Sequence, residues 1–348
     1  MSIPLKFKTV GQLTPNQWRL GLLVAIPIIS LGYVADDRLG MSPQRQAIRQ
    51  VQTTGVERSS LSRSISTSAT VQPERAVNVR FKTAGIGFLA IQLLDDISSV
   101  LDEYNRAIQL NPKNATAYNY RGFLKVELND IQGALADFNR AIQLNPSFAS
   151  AYSNRGSLKV EKLNDIQGAL ADFNRAIQLN PNFARAYNNR GFLKEENLND
   201  IQGGVADYNR AIEIDPNFAP AYNNRGFVKV EKLKDIRGGL SDYNRAIQVD
   251  PRFALAYSNR GVVKAEKLKD IQGGLADFDR AIEIDPSFAS AYALRGQLKY
   301  NRLKDRTGGI ADIQQAARLF QQQGDLANYQ QAIELLRIWD MNSFGSYY

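Results

Sequence analysis

A unit of about 35 residues recurs along most of this chain, and this repetition constrains the fold more than any other feature. Five clear copies span residues 115–148, 149–183, 184–218, 219–253 and 254–288, the first being one residue shorter. A weaker sixth copy begins at Ala289. A fixed period of this size is typical of solenoids, in which each unit packs only against its neighbours. The function therefore has to come from a stack of one supersecondary unit.

Each copy has the pattern of two helices. In the fourth copy, apolar or small residues recur at i, i+4, i+8 and i+11 from Tyr222, which is the spacing of one helix face. Asp235 then supplies a good N-cap for a second helix. Asp250 and Pro251 end that helix, because the residue before a proline disfavours the α conformation. Every copy therefore predicts an antiparallel helix pair.

The recurring small and aromatic residues resemble the signature of the tetratricopeptide repeat (TPR). In the fourth copy they are Tyr222, Gly226, Gly239, Tyr243, Ala246 and Pro251. The resemblance covers residues 87–340 and implies an all-α fold, a right-handed TPR superhelical solenoid of antiparallel helix pairs. The chain departs from the family by an extra residue between the helices of most copies and by an arginine in place of the usual leucine. The RNA-reading pentatricopeptide family has a similar period, but the Ala/aromatic/Ala/Pro set and the charge of the array count against it.

The ends of the array are predicted from weaker matches. The TPR array at 87–325 is expected to begin with a degenerate repeat whose helices are Phe88–Leu94 and Ile97–Leu110. A helix at 326–340, with apolar residues Ile333, Leu336 and Trp339, is predicted to cap the core, because the terminal repeats of a solenoid need a modified outer face. Residues 341–348 would form a tail.

Charge and composition exclude several classes of function. Residues 1–85 carry a net charge of +7 and the remaining residues a net charge of +1. A nucleic-acid binder concentrates positive charge on its binding domain, so no nucleic-acid partner is expected for the array. The chain has no cysteine and no histidine, which excludes His/Cys zinc sites, cysteine nucleophiles and histidine bases. We predict no enzyme activity, no cofactor and no small-molecule substrate.

The N-terminal region contains a candidate membrane segment. After a polar stretch at 1–17, residues 20–35 carry no charge, and Trp18 and Tyr33 lie where interfacial aromatics are expected. Residues 18–35 are predicted to form an uncleaved single-pass membrane anchor, although the apolar run falls short of the ~20 residues of a typical spanning helix. A cleaved signal peptide and a buried helix are the alternatives.

Residues 36–86 are predicted to be a linker that contains two short strands, at 61–71 and 76–79, where apolar and polar residues alternate. Together with the anchor, this segment resembles the start of bacterial membrane fusion proteins, the periplasmic adaptors of export pumps. The resemblance implies a bacterial protein whose array lies on the extracytoplasmic side. It ends before the rest of the adaptor, and a generic anchor and linker is the alternative.

An asparagine recurs two residues after the tyrosine that opens most copies, at Asn154, Asn189, Asn224 and Asn259. In TPR arrays this position faces the concave groove, and the series resembles the asparagine ladder with which some TPR superhelices hold the main chain of a peptide. An amide offers both donors and an acceptor to such a backbone. The alternative is a row of solvated surface residues.

Further positions of the first helix are candidates for specificity. The position three residues after each ladder asparagine varies, and it holds Phe192 and Phe227. Glu196 and Glu231 lie seven residues after the asparagines and would make the groove mildly acidic. These residues complete the predicted peptide groove.

An arginine and an aspartate recur together on the two helices of every copy. Arg190 with Asp207 and Arg225 with Asp242 are examples. Because the helices of each pair are antiparallel, these residues are predicted to form structural salt bridges. A ligand-binding role for the arginines is the alternative.

The pattern as a whole predicts a membrane-anchored scaffold for protein–protein interaction, which binds a protein or peptide partner in the concave groove of its array. The alternative is an accessory component of an export, efflux or cell-envelope assembly, through the adaptor-like N-terminus. An enzyme has little support, because no catalytic domain remains once the repeats and the anchor are assigned.

Overall fold

A computed structural model describes the backbone of residues 86–344 and the side chains of residues 97–339. This part of the chain is helical and contains no strand. The predicted membrane anchor at 18–35 and the predicted strands before residue 86 lie outside the described residues, as do residues 345–348.

The described chain forms fourteen α-helices. They are α1 (Ile86–Leu110), α2 (Ala115–Glu127), α3 (Ile131–Leu144), α4 (Ala149–Leu158), α5 (Ile166–Leu179), α6 (Ala184–Glu196), α7 (Ile201–Ile214), α8 (Ala219–Glu231), α9 (Ile236–Val249), α10 (Ala254–Val262), α11 (Ile271–Ile284), α12 (Ala289–Leu298), α13 (Arg306–Gln322) and α14 (Leu326–Phe344). One further turn of π-helix extends α4, α10 and α12, at Lys159–Leu163, Val263–Lys267 and Lys299–Leu303.

Each copy supplies one helix pair, as predicted. We call the first helix of a copy its A helix (α2, α4, α6, α8, α10, α12) and the second its B helix (α3, α5, α7, α9, α11, α13). Every A helix packs against the B helix of its own copy, and from α4 onward also against the preceding B helix. Neighbouring A helices also contact one another from α2 through α10. The A helices thus form a layer in which neighbouring copies contact one another directly.

The extra residue of the longer copies lies at the end of the A helix. In the short first copy, the Leu128 amide donates to the carbonyl of Leu124, four residues back. In the fourth copy, the Leu233 amide donates to the carbonyl of Val228, five residues back, at 3.0 Å. The inserted residue is therefore absorbed as one wide helical turn. The B helix then begins at Asp235, whose Oδ1 accepts from the Gly238 amide at 2.9 Å.

The residue before each capping aspartate has a left-handed backbone. These residues are Asn129, Asn164, Asn199, Lys234, Lys269 and Lys304, with φ between 51° and 60°. In this conformation the Cβ of any residue approaches the following carbonyl oxygen, at a steric cost of about 1 kcal/mol. Asparagine offsets this cost because its short polar side chain can hydrogen-bond to the local backbone, and lysine has no such short side chain. The last three copies therefore carry avoidable backbone strain at this turn.

Replacing Lys234 with asparagine is expected to raise the free energy of unfolding by about 0.5–1 kcal/mol, because it removes this strain. Lys234→Ala is the matched control, since alanine keeps the Cβ but lacks the polar group of asparagine and should give no gain. Urea denaturation followed by far-UV circular dichroism measures both variants. Equal stabilisation by asparagine and alanine would show that the left-handed turn is not the cause.

Small residues bring the two helices of a copy close together. A Cβ atom added at Gly226 would lie 3.1 Å from both the Gly239 carbonyl oxygen and Tyr243 Cε1. Tyr243 is 2% exposed and Ala246 is fully buried, so the apolar stripe of the B helix lies in this contact. The interior is a series of such local clusters, one after another along the array.

The N-terminal end differs from the prediction. The two helices expected at Phe88–Leu94 and Ile97–Leu110 form one continuous helix, α1, so the predicted break is wrong. The first of the two predicted helices has only seven residues, too few to be stable without extensive packing. Continuing the helix satisfies the backbone groups that a turn would leave unpaired.

Helix α14 packs against the last repeat. Ala332, Leu335 and Trp339 are buried, and the Trp339 ring stacks on Tyr300 with centroids 3.7 Å apart. Leu336 packs partly against the same cluster, whereas Ile333 is 40% exposed, so the predicted apolar face is wrong at Ile333. The helix also continues to Phe344, past the predicted end at residue 340. Its position at the end of the core suits the predicted capping role.

None of the helices in residues 86–344 combines the length and the apolar character that crossing a bilayer requires.

Candidate functional site

The structure brings both predicted arginine–aspartate pairs together inside their copies. Arg225 Nε donates to Asp242 Oδ2 at 2.9 Å and Arg225 Nη2 to Asp242 Oδ1 at 2.6 Å. Arg190 and Asp207 form the same bidentate pair, with Nε donating to Oδ2 at 2.8 Å and Nη2 donating to Oδ1 at 2.6 Å. The aspartates are 4% exposed. Such bidentate pairs are among the strong, directional hydrogen bonds of proteins.

Each arginine also reaches the preceding copy. Arg225 Nη1 donates to Asn209 Oδ1 on the preceding B helix at 2.7 Å, and its guanidinium lies over the Tyr222 ring. A lysine one turn further along the A helix, Lys229, contacts the same Asp242 at 2.9 Å. The arginines with this arrangement are Arg121, Arg155, Arg190, Arg225, Arg260 and Arg295.

These arginines therefore join three helices from two copies. Their side chains are 16–19% exposed, and their donors point at groups of the array itself. At Arg121, the hydrogen bond to Asp137 raises the pKa of the guanidinium. This geometry favours the structural role over ligand binding.

The ladder asparagines join neighbouring A helices. Asn154 Nδ2 donates to Asn119 Oδ1 at 2.9 Å, and Asn259 Nδ2 donates to Asn223 Oδ1 at 2.9 Å. Asn224 donates in the same way to Asn188, at 3.1 Å. In each case the acceptor belongs to the preceding copy and follows its tyrosine directly. The result is a hydrogen-bonded series of asparagines between copies.

This placement corrects the expectation that the ladder amides are open to a ligand. Asn154, Asn224 and Asn259 are 4–6% exposed, so they are not solvated surface residues either. Their nitrogen donors are engaged within the array, because the A helices approach closely enough for the amides to meet. A peptide main chain would have to displace these bonds to use the same donors. The peptide-binding role of the four asparagines stays a prediction.

Asn189 is the exception in the series. The residue that it would meet in the preceding copy is Ser153, whose side chain is shorter than that of asparagine and whose buried Oγ has no hydrogen-bond partner among the described side chains and backbone. Asn189 Nδ2 donates instead to Ser157 Oγ at 3.2 Å, and Asn189 is partly exposed. The ladder is thus interrupted between the second and third copies.

The other predicted groove residues divide by exposure. Phe192 is 6% exposed and belongs to the packed interior, whereas Phe227 is partly exposed. The side chains of Glu196 and Glu231 are 37% and 29% exposed. Lys232 Nζ lies 3.6 Å from Glu196 Oε1, so the next copy partly neutralises this acidic position. Phe227, Glu196 and Glu231 are the predicted groove residues most open to a partner, together with Asn189.

A buried glutamate in the third copy was missed by sequence reasoning. Glu195 is 1% exposed and occupies a position that holds valine in copies 1, 2 and 4. Lys232 Nζ lies 3.6 Å from its Oε1. Burial, with a smaller effect of Glu195, raises the pKa of the Tyr208 hydroxyl well above its ordinary value. The replacement of an apolar residue by glutamate at one position of the repeat was the available signal.

No group of acidic side chains that could hold a metal ion occurs in the described part of the chain.

Comparison with known families agrees with this geometry. The "TPR repeat" family matches residues 124–162 and 161–197, and the "Tetratricopeptide repeat" family matches residues 184–218. The "Protein prenyltransferase alpha subunit repeat" matches residues 97–124, at the start of the array. A search of curated proteins found no match.

Two solved structures with TM-scores above 0.5 show the same fold. A tetratricopeptide repeat protein from Parabacteroides merdae is 20% identical, with a TM-score of 0.51, over 72% of this chain and 95% of that one. The Cut9–Hcn1 hetero-tetramer of APC/C gives 15% identity and a TM-score of 0.56, over 70% of this chain but 48% of that one. YrrB, described as a TPR protein with an unusual peptide-binding site, is 25% identical with a TM-score of 0.37, over 54% of this chain and 95% of that one.

Residues 124–218 therefore match tetratricopeptide repeats, and residues 86–344 form an all-helical solenoid of paired helices with the fold of TPR proteins. Proteins with this fold generally act as scaffolds for protein–protein interaction.

Proposed function

We propose that this chain is a scaffold that binds a segment of a partner protein along the surface of its A helices. The observation that carries the proposal is the division of roles within each copy. The arginine network and the close helix contacts recur in every copy and the asparagine ladder in several of them, whereas the A-helix position of Phe227, which is partly exposed in four of the six copies, varies. The residue equivalent to Phe227 is Phe123, Ser157, Phe192, Val262 or Gln297 in the other copies.

A surface of this kind suits an extended or helical peptide. The network that holds neighbouring copies together orders the A helices before a partner arrives, so little conformational entropy is lost by the scaffold on binding. Phe227 offers apolar area, and Glu196 and Glu231 favour a partner segment with positive charge. Asn189 adds an amide beside them. The partner is thus expected to combine apolar and basic residues.

A random-sequence peptide library tests the proposal without knowledge of the natural partner. We expect the full-length chain to select peptides that bind the A-helix surface, and the combined variant Phe227→Ala, Glu196→Gln, Glu231→Gln to bind them at least about tenfold more weakly. Fluorescence anisotropy of a selected peptide measures the change in Kd.

Gln248→Ala is the matched control, because Gln248 is exposed on the B helix of the same copy as Phe227. Its affinity for the selected peptide should be unchanged. If no peptide is selected, or if the control weakens binding as much as the combined variant, the A-helix surface is not the binding site.

We further propose that residues 18–35 anchor the scaffold in a membrane with the array on the extracytoplasmic side. The support is the uncharged run at 20–35 between Trp18 and the acidic pair at residues 36–37. Fractionation of cells that express the full-length chain tests the anchor, and protease accessibility in intact cells tests the side. Full recovery in the soluble fraction would refute the anchor and leave the scaffold proposal intact.

A further inference from the structure

The turns between the A and B helices lie along one edge of the array, because every pair has the same orientation. We define the turn edge as residues 127–132, 161–167, 196–202, 231–237, 266–272 and 301–307. It includes the end of each A helix, the left-handed residue, the capping aspartate and the first turn of the B helix. Its side chains are mostly exposed.

Charge is distributed unevenly along this edge. The turns of the first three copies carry net charges of −2, −1 and −2, whereas those of the last three carry +1, 0 and +2. The near-neutral charge of the whole array hides this difference. One half of the edge is acidic and the other half is basic.

A row of leucines follows the same edge. Leu233 and Leu268, in the turns of the fourth and fifth copies, are 42% and 48% exposed. Leu163, Leu198 and Leu303 occupy the same position in other copies and are partly exposed. Each leucine in the last three copies stands between two basic residues, as Leu233 stands between Lys232 and Lys234. The edge therefore combines apolar contact area with charge.

Buried carboxylate oxygens of Glu127 and Glu161 and ion pairs within the chain leave part of this charge available, chiefly that of the exposed capping aspartates in the first three turns and of the basic residues in the last three. Lys267 Nζ lies 3.5 Å from Glu231 Oε1 and Arg302 Nη2 lies 3.7 Å from Glu266 Oε2, each across to the preceding turn. Pairs of this length between exposed side chains contribute little. Arg237 and Arg306 are exposed in the first turn of their B helices, where positive charge is unfavourable for the helix.

We propose that the turn edge binds a second copy of this chain in the antiparallel direction. A two-fold axis near the boundary of the third and fourth copies then places each acidic half against the basic half of the partner. The turns of copies 1 and 3, each −2, face those of copies 6 and 4, at +2 and +1. The leucine rows meet because both have the same spacing.

Other arrangements fit the edge less well. A parallel pair would place like charges opposite each other, which is unfavourable along the whole edge. An anionic lipid surface would attract the last three turns but repel the first three. In the antiparallel dimer, both the acidic and the basic half of the turn edge face opposite charge on the partner. It is expected to be weak and sensitive to salt, because its charges are exposed.

Charge reversal tests the proposal. The full-length chain in a non-ionic detergent is expected to show the mass of a dimer by light scattering at low salt, after correction for bound detergent, and to dissociate as salt is raised. Arg237→Glu combined with Arg306→Glu should raise the dimer Kd at least about tenfold. The reason is that the two-fold axis makes each substitution disturb two contacts in the dimer. Glutamate in the first turn favours the helix, so folding should be preserved.

A second pair of substitutions should restore the dimer. Gln202→Arg and Gln132→Arg, added to the reversed chain, place positive charge on the exposed acidic turns that face the new glutamates. Recovery of most of the lost affinity supports the antiparallel register. A monomer at low salt, a Kd unchanged by the reversal, or a failure of the second pair to restore affinity would overturn the proposal. So would a monomer that binds phosphatidylserine vesicles through the basic half.

Discussion

Replacing Arg155 with alanine is expected to lower the free energy of unfolding by about 3 kcal/mol or more. Arg155 holds Asp172 through two hydrogen bonds, at 2.9 and 2.6 Å, and also reaches Asn139 of the preceding copy at 2.7 Å. Asp172 is 4% exposed, so its carboxylate would keep Lys159 as the remaining cation and lose the bidentate partner. Urea denaturation of the full-length chain measures the loss.

Arg175→Ala provides the control within the same copy. Arg175 is exposed on the B helix and its nearest hydrogen-bond partner is Gln178, at 3.4 Å. The effect of an exposed substitution of this kind is expected to stay within about 0.5 kcal/mol. Comparable losses for Arg155→Ala and Arg175→Ala would mean that the buried network does not stabilise the array.

Trp339→Ala is expected to cost about 3–5 kcal/mol at the C-terminal end of the array. Trp339 is 4% exposed and stacks on Tyr300 with an interplanar angle of 4°. Its removal leaves a cavity between α14 and the last repeat. Because the stability of a solenoid is built from contacts between neighbours, the loss should be greatest in α13 and α14. Hydrogen exchange by mass spectrometry locates it.

Ile333→Ala changes the same helix on its exposed side. Ile333 is 40% exposed, so its truncation should alter hydrogen exchange little. Faster exchange spread evenly over the array in Trp339→Ala would argue against a local cap. Equal effects of the two variants would argue against the stacking contact as the cause.

The helix pairs could be predicted from sequence because the residues that define them act locally. An aspartate that caps a helix and a proline that ends one have the same effect wherever they occur. The Arg225–Asp242 pair was also predictable, because both residues lie on one antiparallel pair and recur together. The peptide-binding proposal, in contrast, rests on variation between copies and not on any single motif.

The placement of Asn224 could not be predicted in the same way. Its partner, Asn188, is 36 residues away in the preceding copy, and the bond depends on how closely two A helices approach. A single copy contains no information on that distance. The helix break predicted before Ile97 was wrong for a related reason. The residues at the predicted break resemble those of the later turns, but the predicted helix before it is too short to be stable without extensive packing.

The asparagine ladder has a consequence for the length of the array. Each bond joins the second residue after the tyrosine of one copy to the first residue after the tyrosine of the preceding copy, such as Asn259 with Asn223 and Asn224 with Asn188. If the copy at 219–253 were deleted, Asn259 would meet Asn188, and the same kind of bond would form. Loss of this copy thus preserves the ladder contact between the copies on either side of it. Unequal recombination that removes or repeats this segment can therefore change the number of copies and keep the ladder bond at the new junction.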